Sequence, residues 1–329
     1  MVTRAEHGVR SVVRSSARQV TVVGAGVIGL CTALELQRRG HRVTVVAEEV
    51  FEPTVSTVAG AVWFPYQVGQ ADRARVSELA ERTRSWLGEL ARAAPAAGVD
   101  LLDFYEIERT VTAEQRPWWA ADDVVLAPAP VTGAPLAWHF RAPRAQPSLL
   151  LPFLAGQLAH PIERRRVRAL ADEPGDAVIN CTGLAARALA GDSQLQGVFG
   201  QVLVTGVGQV PLDVTITDDR DPDSFFYVIP RRDALILGGV ARPVDDPDCV
   251  QPPPAEAAIT RRILDHAARL GLTVGEVQAV RTGLRPVRPS LRLGRDEHDP
   301  RILHNYGHGG AGFTLCHGAA LAIADELDA

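Results

Sequence analysis

Short apolar runs alternate with amphipathic stretches along the first fifty residues. Residues 20–23 form a β-branched run that ends in glycine, which is typical of a buried parallel strand. From Ile28 onward apolar residues recur at helical spacing, and Gly40 stands where a left-handed helix cap is expected. Residues 42–47 predict a second strand. The pattern therefore predicts one strand-helix-strand unit of about thirty residues.

Three glycines, Gly24, Gly26 and Gly29, lie between the first strand and the helix in the order G-x-G-x-x-G. The first permits a tight turn, the second lets a pyrophosphate approach the backbone, and the third lets the helix pack on the strand. Glu48 follows the second strand, where its carboxylate can bind a ribose hydroxyl pair and disfavours a 2′-phosphate. Because all these parts occur in one unit, the motif predicts a bound dinucleotide other than NADP.

The rest of the chain separates into helical and β-rich stretches. A second buried parallel strand is predicted at residues 176–180, and Cys181, Thr182 and Gly183 form a turn at its carboxyl end, where α/β sheets bind ligands. Helices are predicted at 72–94, 149–159 and 255–270, and strands at 103–110 and 277–284. Short β-rich runs within residues 197–241 predict an antiparallel sheet. Together these elements predict an α/β fold with a second, β-rich domain.

Residues 54–66 follow the first unit and are not the next repeat of a simple nicotinamide dehydrogenase. Their small side chains, followed by Trp63 and Tyr66, indicate backbone that passes close to a bulky ligand. The small residues are Ser56, Thr57, Ala59, Gly60 and Ala61. A core-packing turn held by aromatic side chains explains the same residues about as well.

Two C-terminal stretches suit an organic anion and a flat ring. In RTGLRPVRPS, Arg285 lies between glycine and proline at a predicted strand end, and its planar guanidinium can hold a carboxylate with two hydrogen bonds. Arg281 and Arg288 are interpreted as surface or ion-pair arginines. Residues 304–312, HNYGHGGAG, contain four glycines ahead of an apolar helix, whose N-terminus can stabilise negative charge on a ring. His308 is interpreted as a structural loop histidine rather than a general base.

Composition excludes several classes of protein. The chain is 46% hydrophobic and 22% charged, which is typical of globular domains. A net charge of −5 argues against nucleic-acid binding, and the absence of lysine excludes Schiff-base chemistry. The four cysteines are scattered, which favours reduced thiols over a metal site. Without an apolar signal or spanning segment, the chain is expected to be cytoplasmic, with no membrane partner.

Taken in order, several segments resemble the D-amino-acid oxidases and D-aspartate oxidases. These segments are VVGAGVIGL, VAGAVWFPY, VINCTGLAARAL, GQVLV, YVIPRRDALILGGV, RTGLRPVRPSLRL and HNYGHGGAGFTLCHGAA. They follow the order of that family from residue 20 to residue 327. The set as a whole is far more specific than the glycine motif alone.

The resemblance implies a Rossmann-like FAD-binding domain with an inserted, mainly antiparallel substrate-binding and interface domain. The FAD domain would comprise residues 18–62, 148–196 and 284–329, and the inserted domain residues 63–147 and 197–283. The implied partners are FAD, a D-amino acid and dioxygen, in a homodimer without metal. The implied reaction passes a hydride from the α-carbon to flavin N5. The imino acid then hydrolyses to a 2-oxo acid and ammonia, and dioxygen is reduced to hydrogen peroxide.

The resemblance also assigns residues. Arg285 would bind the substrate carboxylate, Tyr227 would donate a second hydrogen bond to it, and the carbonyl of Gly310 would accept one from the amine. Because orientation and the amine lone pair suffice for hydride transfer, no base is required. The implied FAD contacts are Gly24, Gly26, Val27, Ile28, Gly29, Glu48, Ser56, Thr57, Ala59, Gly60, Ala61, Val167, Cys181, Thr182, Gly183, Arg285, Gly309, Gly310, Gly312, Phe313 and Thr314.

The chain departs from the family pattern before Tyr227. Where many relatives carry a lid tyrosine, this chain has Asp223, Ser224, Phe225 and Phe226, which predicts a shorter or absent lid. Arg242 suggests acidic substrates, since D-aspartate oxidases use extra arginines. Two alternatives stay open. One is a D-aspartate or glycine/sarcosine-type oxidase on the same scaffold, and the other is a flavin-binding protein without turnover.

Overall fold

The computed structural model describes residues 16–52, 54–66, 68, 73–109, 112, 116–221 and 225–329. The helices are α1 Val27–Arg38, α2 Val55–Val58, α3 Arg73–Ala93, α4 Pro147–Ala155, α5 Ala186–Leu189, α6 Ala257–Arg269 and α7 Gly312–Asp328. The strands are β1 Gln19–Val23, β2 Arg42–Ala47, β3 Val99–Ile107, β4 Val125–Pro128, β5 Leu136–Ala145, β6 Glu163–Arg164, β7 Ala177–Asn180, β8 Gln196–Thr205, β9 Val214–Asp218, β10 Phe226–Pro230, β11 Leu235–Gly238, β12 Arg242–Pro243, β13 Val277–Arg295 and β14 Ile302–His308.

These strands join into one sheet with the order β4-β5-β3-β9-β10-β11-β8-β13-β14-β7-β1-β2-β6, and β12 adds to β8. From β14 to β6 the strands run parallel, as the strand-helix-strand pattern predicts. The remaining pairs are antiparallel except β3 with β9, which is parallel. The strand pairs within residues 197–241 are antiparallel, as predicted, and the parallel pair joins them to β3, which lies outside that stretch. Parallel pairing is possible because more than a hundred residues, including α4 and β7, separate the two strands along the chain.

Strand β13 connects the parallel part of the sheet to the antiparallel part. Its first half pairs with β8, ending with Val287 opposite Gln196, and its second half pairs with β14. The prediction ended this strand at residue 284, so Arg285 lies within a strand rather than at its end. The register against β14 shifts between Val287 and Arg292. The strand contains Pro286 and Pro289 at the point where its partner changes from β8 to β14. Fewer backbone N–H groups of the strand donate to a neighbouring strand at this point, so the prolines are tolerated.

Helices α1 and α7 pack together on one face of the parallel strands. Leu36 of α1 and Ile323 of α7 are fully buried in one cluster with side chains of β1, β7 and β14. Full burial of each such side chain stabilises the fold by about 1.5–3 kcal/mol. Helix α3 crosses α7 at Gly318, where an added methyl would lie 2.2 Å from the carbonyl oxygen of Leu79. This packing holds the N-termini of α1 and α7 beside the sheet edge where the cavity lies.

The helix predictions are confirmed with small shifts of their ends. The predicted helix at 149–159 begins at Pro147, a residue favoured in the first helical turn, and ends at Ala155. The predicted strand at 103–110 begins earlier, at Val99. All four cysteines are free, and the described residues contain no group of metal-ligating side chains. Among the described helices, none is both long and apolar enough to cross a membrane.

Candidate active site

A cavity of about 960 Å³ opens along the carboxyl ends of the parallel strands and continues over β8 and β10. Its lining begins at Glu48, which follows β2, and reaches Arg285 on β13. Four strand spacings separate β2 from β13 in the sheet, which corresponds to roughly 19 Å. The cavity is therefore long enough for an extended dinucleotide with a ring at one end.

The turn from β1 into α1 depends on two glycines, Gly24 and Gly29, at which a side chain would collide with the backbone. Gly24 has a φ of +113°, and a methyl there would lie 2.4 Å from the carbonyl oxygen of Cys181. A methyl at Gly29 would lie 1.9 Å from the carbonyl oxygen of Gly24, so the helix packs directly on the turn. The Ser56 hydroxyl accepts a hydrogen bond from the Val27 N–H at 3.1 Å, at the N-terminus of α1. A hydroxyl and free helix N–H groups at one open position suit a phosphate.

The turn after β7 forms the neighbouring wall. The Asn180 side-chain oxygen accepts hydrogen bonds from the Thr182 backbone N–H at 3.2 Å and from the Thr182 hydroxyl at 2.7 Å. Gly183 then takes a φ of +59°. Directly after β2, the Glu48 carboxylate lies 3.8 Å from the guanidinium of Arg166. Both side chains are more than half exposed, so Glu48 remains free to bind hydroxyl groups.

Arg285 enters the other end of the cavity without a carboxylate partner. Its Nη1 donates to the carbonyl oxygen of Val240 at 3.0 Å, and its guanidinium lies 5.8 Å from the ring centroid of Tyr66. No acidic oxygen of the described residues lies within 4.0 Å of this guanidinium. The cation is thus oriented by a carbonyl and a ring, and its charge is available to an anion.

Aromatic side chains surround this guanidinium. The Tyr66 ring lies 5.3 Å from the ring of Phe225, which lies 6.4 Å from the ring of Tyr227. Burial raises the pKa of Tyr66 above its ordinary value, although the charge of Arg285 opposes that shift. We call the part of the cavity lined by Arg285, Tyr66, Phe225 and Tyr227 the arginine chamber. It combines one cation with flat apolar walls and two phenolic hydroxyls.

Two glycines make room for these side chains. A methyl at Gly200, on β8, would lie 2.6 Å from Nη1 of Arg285. Gly238 lies directly opposite Tyr227 in the β10–β11 pair, and a methyl there would lie 2.2 Å from the Tyr227 hydroxyl oxygen. Sequence reasoning missed both glycines, because their partners are on other strands. Both glycines lie in segments that resemble the family, GQVLV and YVIPRRDALILGGV, but nothing local distinguishes them from ordinary strand glycines.

The glycine-rich loop after β14 completes the chamber. The Gly309 N–H donates to the carbonyl oxygen of Pro286 at 2.9 Å, which ties the loop to β13. A methyl at Gly310 would lie 2.6 Å from Cδ1 of Tyr66. Gly312 and Phe313, in the first turn of α7, also line the cavity. The positive end of the α7 dipole therefore faces the cavity, where it can stabilise negative charge.

Most of the residues predicted for the site line this single cavity. They are Gly24, Gly26, Val27, Ile28, Glu48, Ser56, Ala59, Gly60, Ala61, Val167, Cys181, Thr182, Gly183, Tyr227, Arg285, Gly309, Gly310, Gly312 and Phe313. Gly29, Thr57 and Thr314 do not line it. The Thr57 hydroxyl donates to the Thr54 carbonyl at 2.7 Å, and the Thr314 hydroxyl donates to the Phe64 carbonyl at 2.8 Å. These three residues shape the backbone around the cavity instead.

The interpretation of Arg242 as a sign of acidic substrates is not supported by its position. Its guanidinium pairs with Glu256 and lies 5.2 Å from the ring centroid of Phe199, outside the cavity lining. Arg281 and Arg288 do form ion pairs, as predicted, with Glu52 at 3.2 Å and Asp192 at 2.8 Å. Arg242, Arg281 and Arg288 are thus paired with protein carboxylates, whereas Arg285 is not.

His308 differs from its prediction as a loop histidine, since it is the last residue of β14. It is buried, and its Nε2 has no hydrogen-bond partner among the described residues. Burial lowers its pKa to about 4, so the imidazole is neutral at physiological pH. Within the predicted lid segment, Asp223 and Ser224 lie outside the described residues. Phe225 lines the chamber, whereas Phe226 is buried and stacks on His266 at 4.8 Å.

The glycine turn after β1, the long cavity and the arginine chamber fit an oxidoreductase that binds a flavin dinucleotide. Residues 19–326 match the DAO family of FAD-dependent oxidoreductases, and the chain belongs to that family. It is therefore an FAD-dependent enzyme. The turn after β1 fits this cofactor, because Gly26 has no side chain where a dinucleotide pyrophosphate must approach the backbone, and an added methyl there would lie 3.0 Å from the Ser56 hydroxyl oxygen.

Individual relatives of the chain include both a D-amino-acid oxidase and a D-aspartate oxidase. The chain is 37% identical to a D-amino-acid oxidase from Rubrobacter xylanophilus, over 92% of this chain and 93% of that protein. It is 30% identical to human D-aspartate oxidase, over 93% of each chain. Glycine oxidase from Geobacillus kaustophilus has a similar structure, with a TM-score of 0.74 at 18% identity over 94% of each chain. That last likeness concerns the fold alone.

Proposed function

We propose that this protein is a D-amino-acid oxidase that converts D-amino acids to 2-oxo acids, ammonia and hydrogen peroxide. The observation that carries this proposal is Arg285, a cation without a carboxylate partner inside a ring-walled chamber. A chamber of this kind suits a small carboxylate substrate. The substrate class is supported by relatives named D-amino-acid oxidase that are 36–37% identical over more than nine tenths of the chain.

In this proposal Arg285 binds the substrate carboxylate, and the Tyr227 hydroxyl donates a further hydrogen bond to it. The carbonyl of Gly310 accepts a hydrogen bond from the α-amine. Three contacts around the α-carbon fix the direction of its C–H bond, which is the basis of discrimination between D- and L-isomers. His308 is not assigned a proton-transfer role, because burial lowers its pKa to about 4, which makes its imidazole a weak base at physiological pH.

We assign the FAD to the cavity from Glu48 to the arginine chamber. Glu48 would bind the ribose, and the α1 N-terminus at Gly26, Val27 and Ile28 would hold the pyrophosphate together with Ser56. Gly309, Gly310 and the first turn of α7 would lie against the ring. When bound, FAD would supply the two-electron oxidation of the substrate, with dioxygen as the final electron acceptor. The aromatic walls of the chamber would limit the water around the reacting carbon.

The remaining assignments are also proposals. The FAD-binding domain would comprise residues 18–62, 148–196 and 284–329, and residues 63–147 and 197–283 would form the substrate-binding domain. The boundary at residue 284 falls inside β13, so the two domains would share that strand. We further propose a homodimer that works in the cytoplasm, where its four free cysteines would stay reduced.

The proposal is tested by the anaerobic absorption spectrum of the purified holoenzyme. We expect a yellow protein whose flavin band bleaches with D-alanine or D-leucine and does not change with the L-isomers. A colourless protein would contradict the cofactor assignment. Bleaching only by D-aspartate would indicate a D-aspartate oxidase. Bleaching only by glycine and sarcosine would indicate a glycine/sarcosine-type oxidase. A flavin unchanged by the whole panel would indicate a binding protein without turnover.

A further inference from the structure

The wall of the arginine chamber formed by β9 and β10 carries a carboxylate. Thr217 lies opposite Tyr227 in the β9–β10 pair, so both side chains point to the same face of the sheet. Asp219 follows two residues later on that face, and its N–H donates to the carbonyl oxygen of Ile107 at 2.8 Å. Thr217, Asp219 and Tyr227 all line the cavity. Asp219 therefore shares the cavity with Arg285.

A second carboxyl lies behind Asp219. Glu106 of β3 is in register with Thr217, so it points to the same face. Its side chain is 1% exposed, and its Oε2 has no hydrogen-bond partner among the described residues. The Glu106 and Asp219 carboxyls are near enough for each to shift the pKa of the other. Burial, followed by the neighbouring acids, raises the pKa of Glu106 well above its usual value, which favours its protonated form beside Asp219.

Cations of the protein do not neutralise Asp219. Its neighbour Asp218 points to the opposite face and pairs with Arg220 at 2.8 Å and His266 at 2.9 Å. No basic nitrogen of the described chain lies within 4.0 Å of Asp219 or Glu106. Burial and nearby acids raise the pKa of Asp219 to about 6, so it is ionised at neutral pH. A carboxylate without a cationic partner thus faces the chamber that holds a cation without an anionic partner.

We propose that Asp219, supported by Glu106, recognises a cationic group on the substrate side chain. The enzyme then favours D-amino acids that carry a guanidinium or ammonium side chain. This inference rests on the proposed D-amino-acid oxidase function. A substrate whose carboxylate binds Arg285 has its side chain free to reach the second charged wall. D-Aspartate and D-glutamate would bring a negative charge towards Asp219, which like-charge repulsion disfavours.

The proposal assigns Asp219 to the side chain and not to the α-ammonium group. All amino acids share the α-ammonium, so loss of a contact to it would slow every substrate by the same factor. Loss of a side-chain contact would slow only the cationic ones. The distinction can be measured with isosteric substrates, because D-citrulline matches D-arginine in length and shape without its charge, and D-glutamine matches D-glutamate.

The experiment measures kcat/KM by peroxide release from FAD-saturated holoenzyme. For the wild type we expect D-arginine to exceed D-citrulline by about tenfold, and D-glutamine to exceed D-glutamate, as expected for one partly desolvated charge pair. Asp219→Asn should bring the D-arginine to D-citrulline ratio down by about tenfold, towards one. Asp213→Asn, an exposed aspartate just before the same strand, is the matched control and should keep the wild-type ratio.

The outcomes separate the two proposals. If no D-amino acid is oxidised, the D-amino-acid oxidase function itself is wrong. If neutral D-amino acids are oxidised but D-arginine and D-citrulline react equally in the wild type, the side-chain recognition is wrong, and this result does not depend on any variant folding. If Asp219→Asn slows both by the same factor and leaves their ratio unchanged, Asp219 serves the α-ammonium or the fold instead.

Discussion

The guanidinium of Arg285 lies against the backbone of Gly200, with Nη1 2.6 Å from the position that a Cβ atom of residue 200 would take. The two residues belong to neighbouring strands, β13 and β8, and are offset by two positions in the register. Only a residue without a side chain leaves this space. The direction of this cavity-facing cation is thus set by a glycine on another strand.

Gly200→Ala should therefore impair substrate binding more than folding. The added methyl meets the end of a flexible side chain, which can swing away at little cost, but the guanidinium then leaves its position. A displacement of about 1 Å at a reacting site can cost as much as 100-fold in rate. We expect a clear increase in KM for D-alanine with an unfolding midpoint close to that of the wild type. Gly88→Ala, where no atom lies within 4 Å of the added methyl, is the control. Equal KM values in the two variants would contradict this role of Gly200.

Replacement of Arg285 by alanine should weaken every carboxylate ligand. Hydrogen bonds to a charged group contribute about 1.5–3 kcal/mol each, so loss of two corresponds to roughly 100-fold or more in affinity. The measurements are KM for D-alanine and the inhibition constant of benzoate. Arg281→Ala removes an arginine of the same motif whose exposed pair with Glu52 contributes little, and it should change both constants by less than about twofold. Comparable effects of the two substitutions would remove the role assigned to Arg285.

The pair of Arg288 with Asp192 should matter for stability rather than for chemistry. Both side chains are nearly buried, at 12% and 9% exposed, and Asp192 also accepts a hydrogen bond from the Tyr306 hydroxyl at 2.8 Å. Arg288→Ala leaves this carboxylate without its cation, which costs about 3–5 kcal/mol for a buried pair. The free energy of urea unfolding measures this loss. Arg82→Ala breaks a pair of the same length on the surface and should cost less than about 1 kcal/mol. Similar losses in both variants would show that burial does not govern these pairs.

Buried His308 should make the protein less stable as the pH falls. Its pKa is about 4 in the folded chain and 6.5 when unperturbed, so between these values the unfolded chain takes up a proton that the folded chain refuses. Stability is therefore complete above pH 6.5 and declines towards pH 4, by roughly 3 kcal/mol in total for this group.

The measurement compares unfolding free energies at pH 7 and pH 4.5 with saturating FAD. His308→Leu should lose less stability on acidification than the wild type, whereas His160→Leu, which alters an exposed histidine, should lose as much as the wild type. The contributions of the other titrating groups to the change in unfolding free energy are common to the three proteins, so they cancel in this comparison. An identical pH dependence of the wild type and His308→Leu would show that His308 is not held neutral by burial.

The sequence by itself determined the parts of the protein that depend on local spacing and on residue type. The G-x-G-x-x-G turn, the helices at α3 and α6 and the strand β7 follow from short-range periodicity and backbone sterics. The choice of Arg285 over its neighbours came from the resemblance of its motif and from guanidinium chemistry. These features need no knowledge of which strands become neighbours.

Only the tertiary structure decided which charges remain without a partner. The sequence offers both Arg285 and Arg242 as arginines for an anion, but Glu256 neutralises Arg242 and no described carboxylate reaches Arg285. The positions of Gly200 and Asp219 likewise depend on the register of β8 against β13 and of β3 against β9. Register is set by contacts between residues more than seventy positions apart, and one strand residue more or less would turn a side chain to the opposite face.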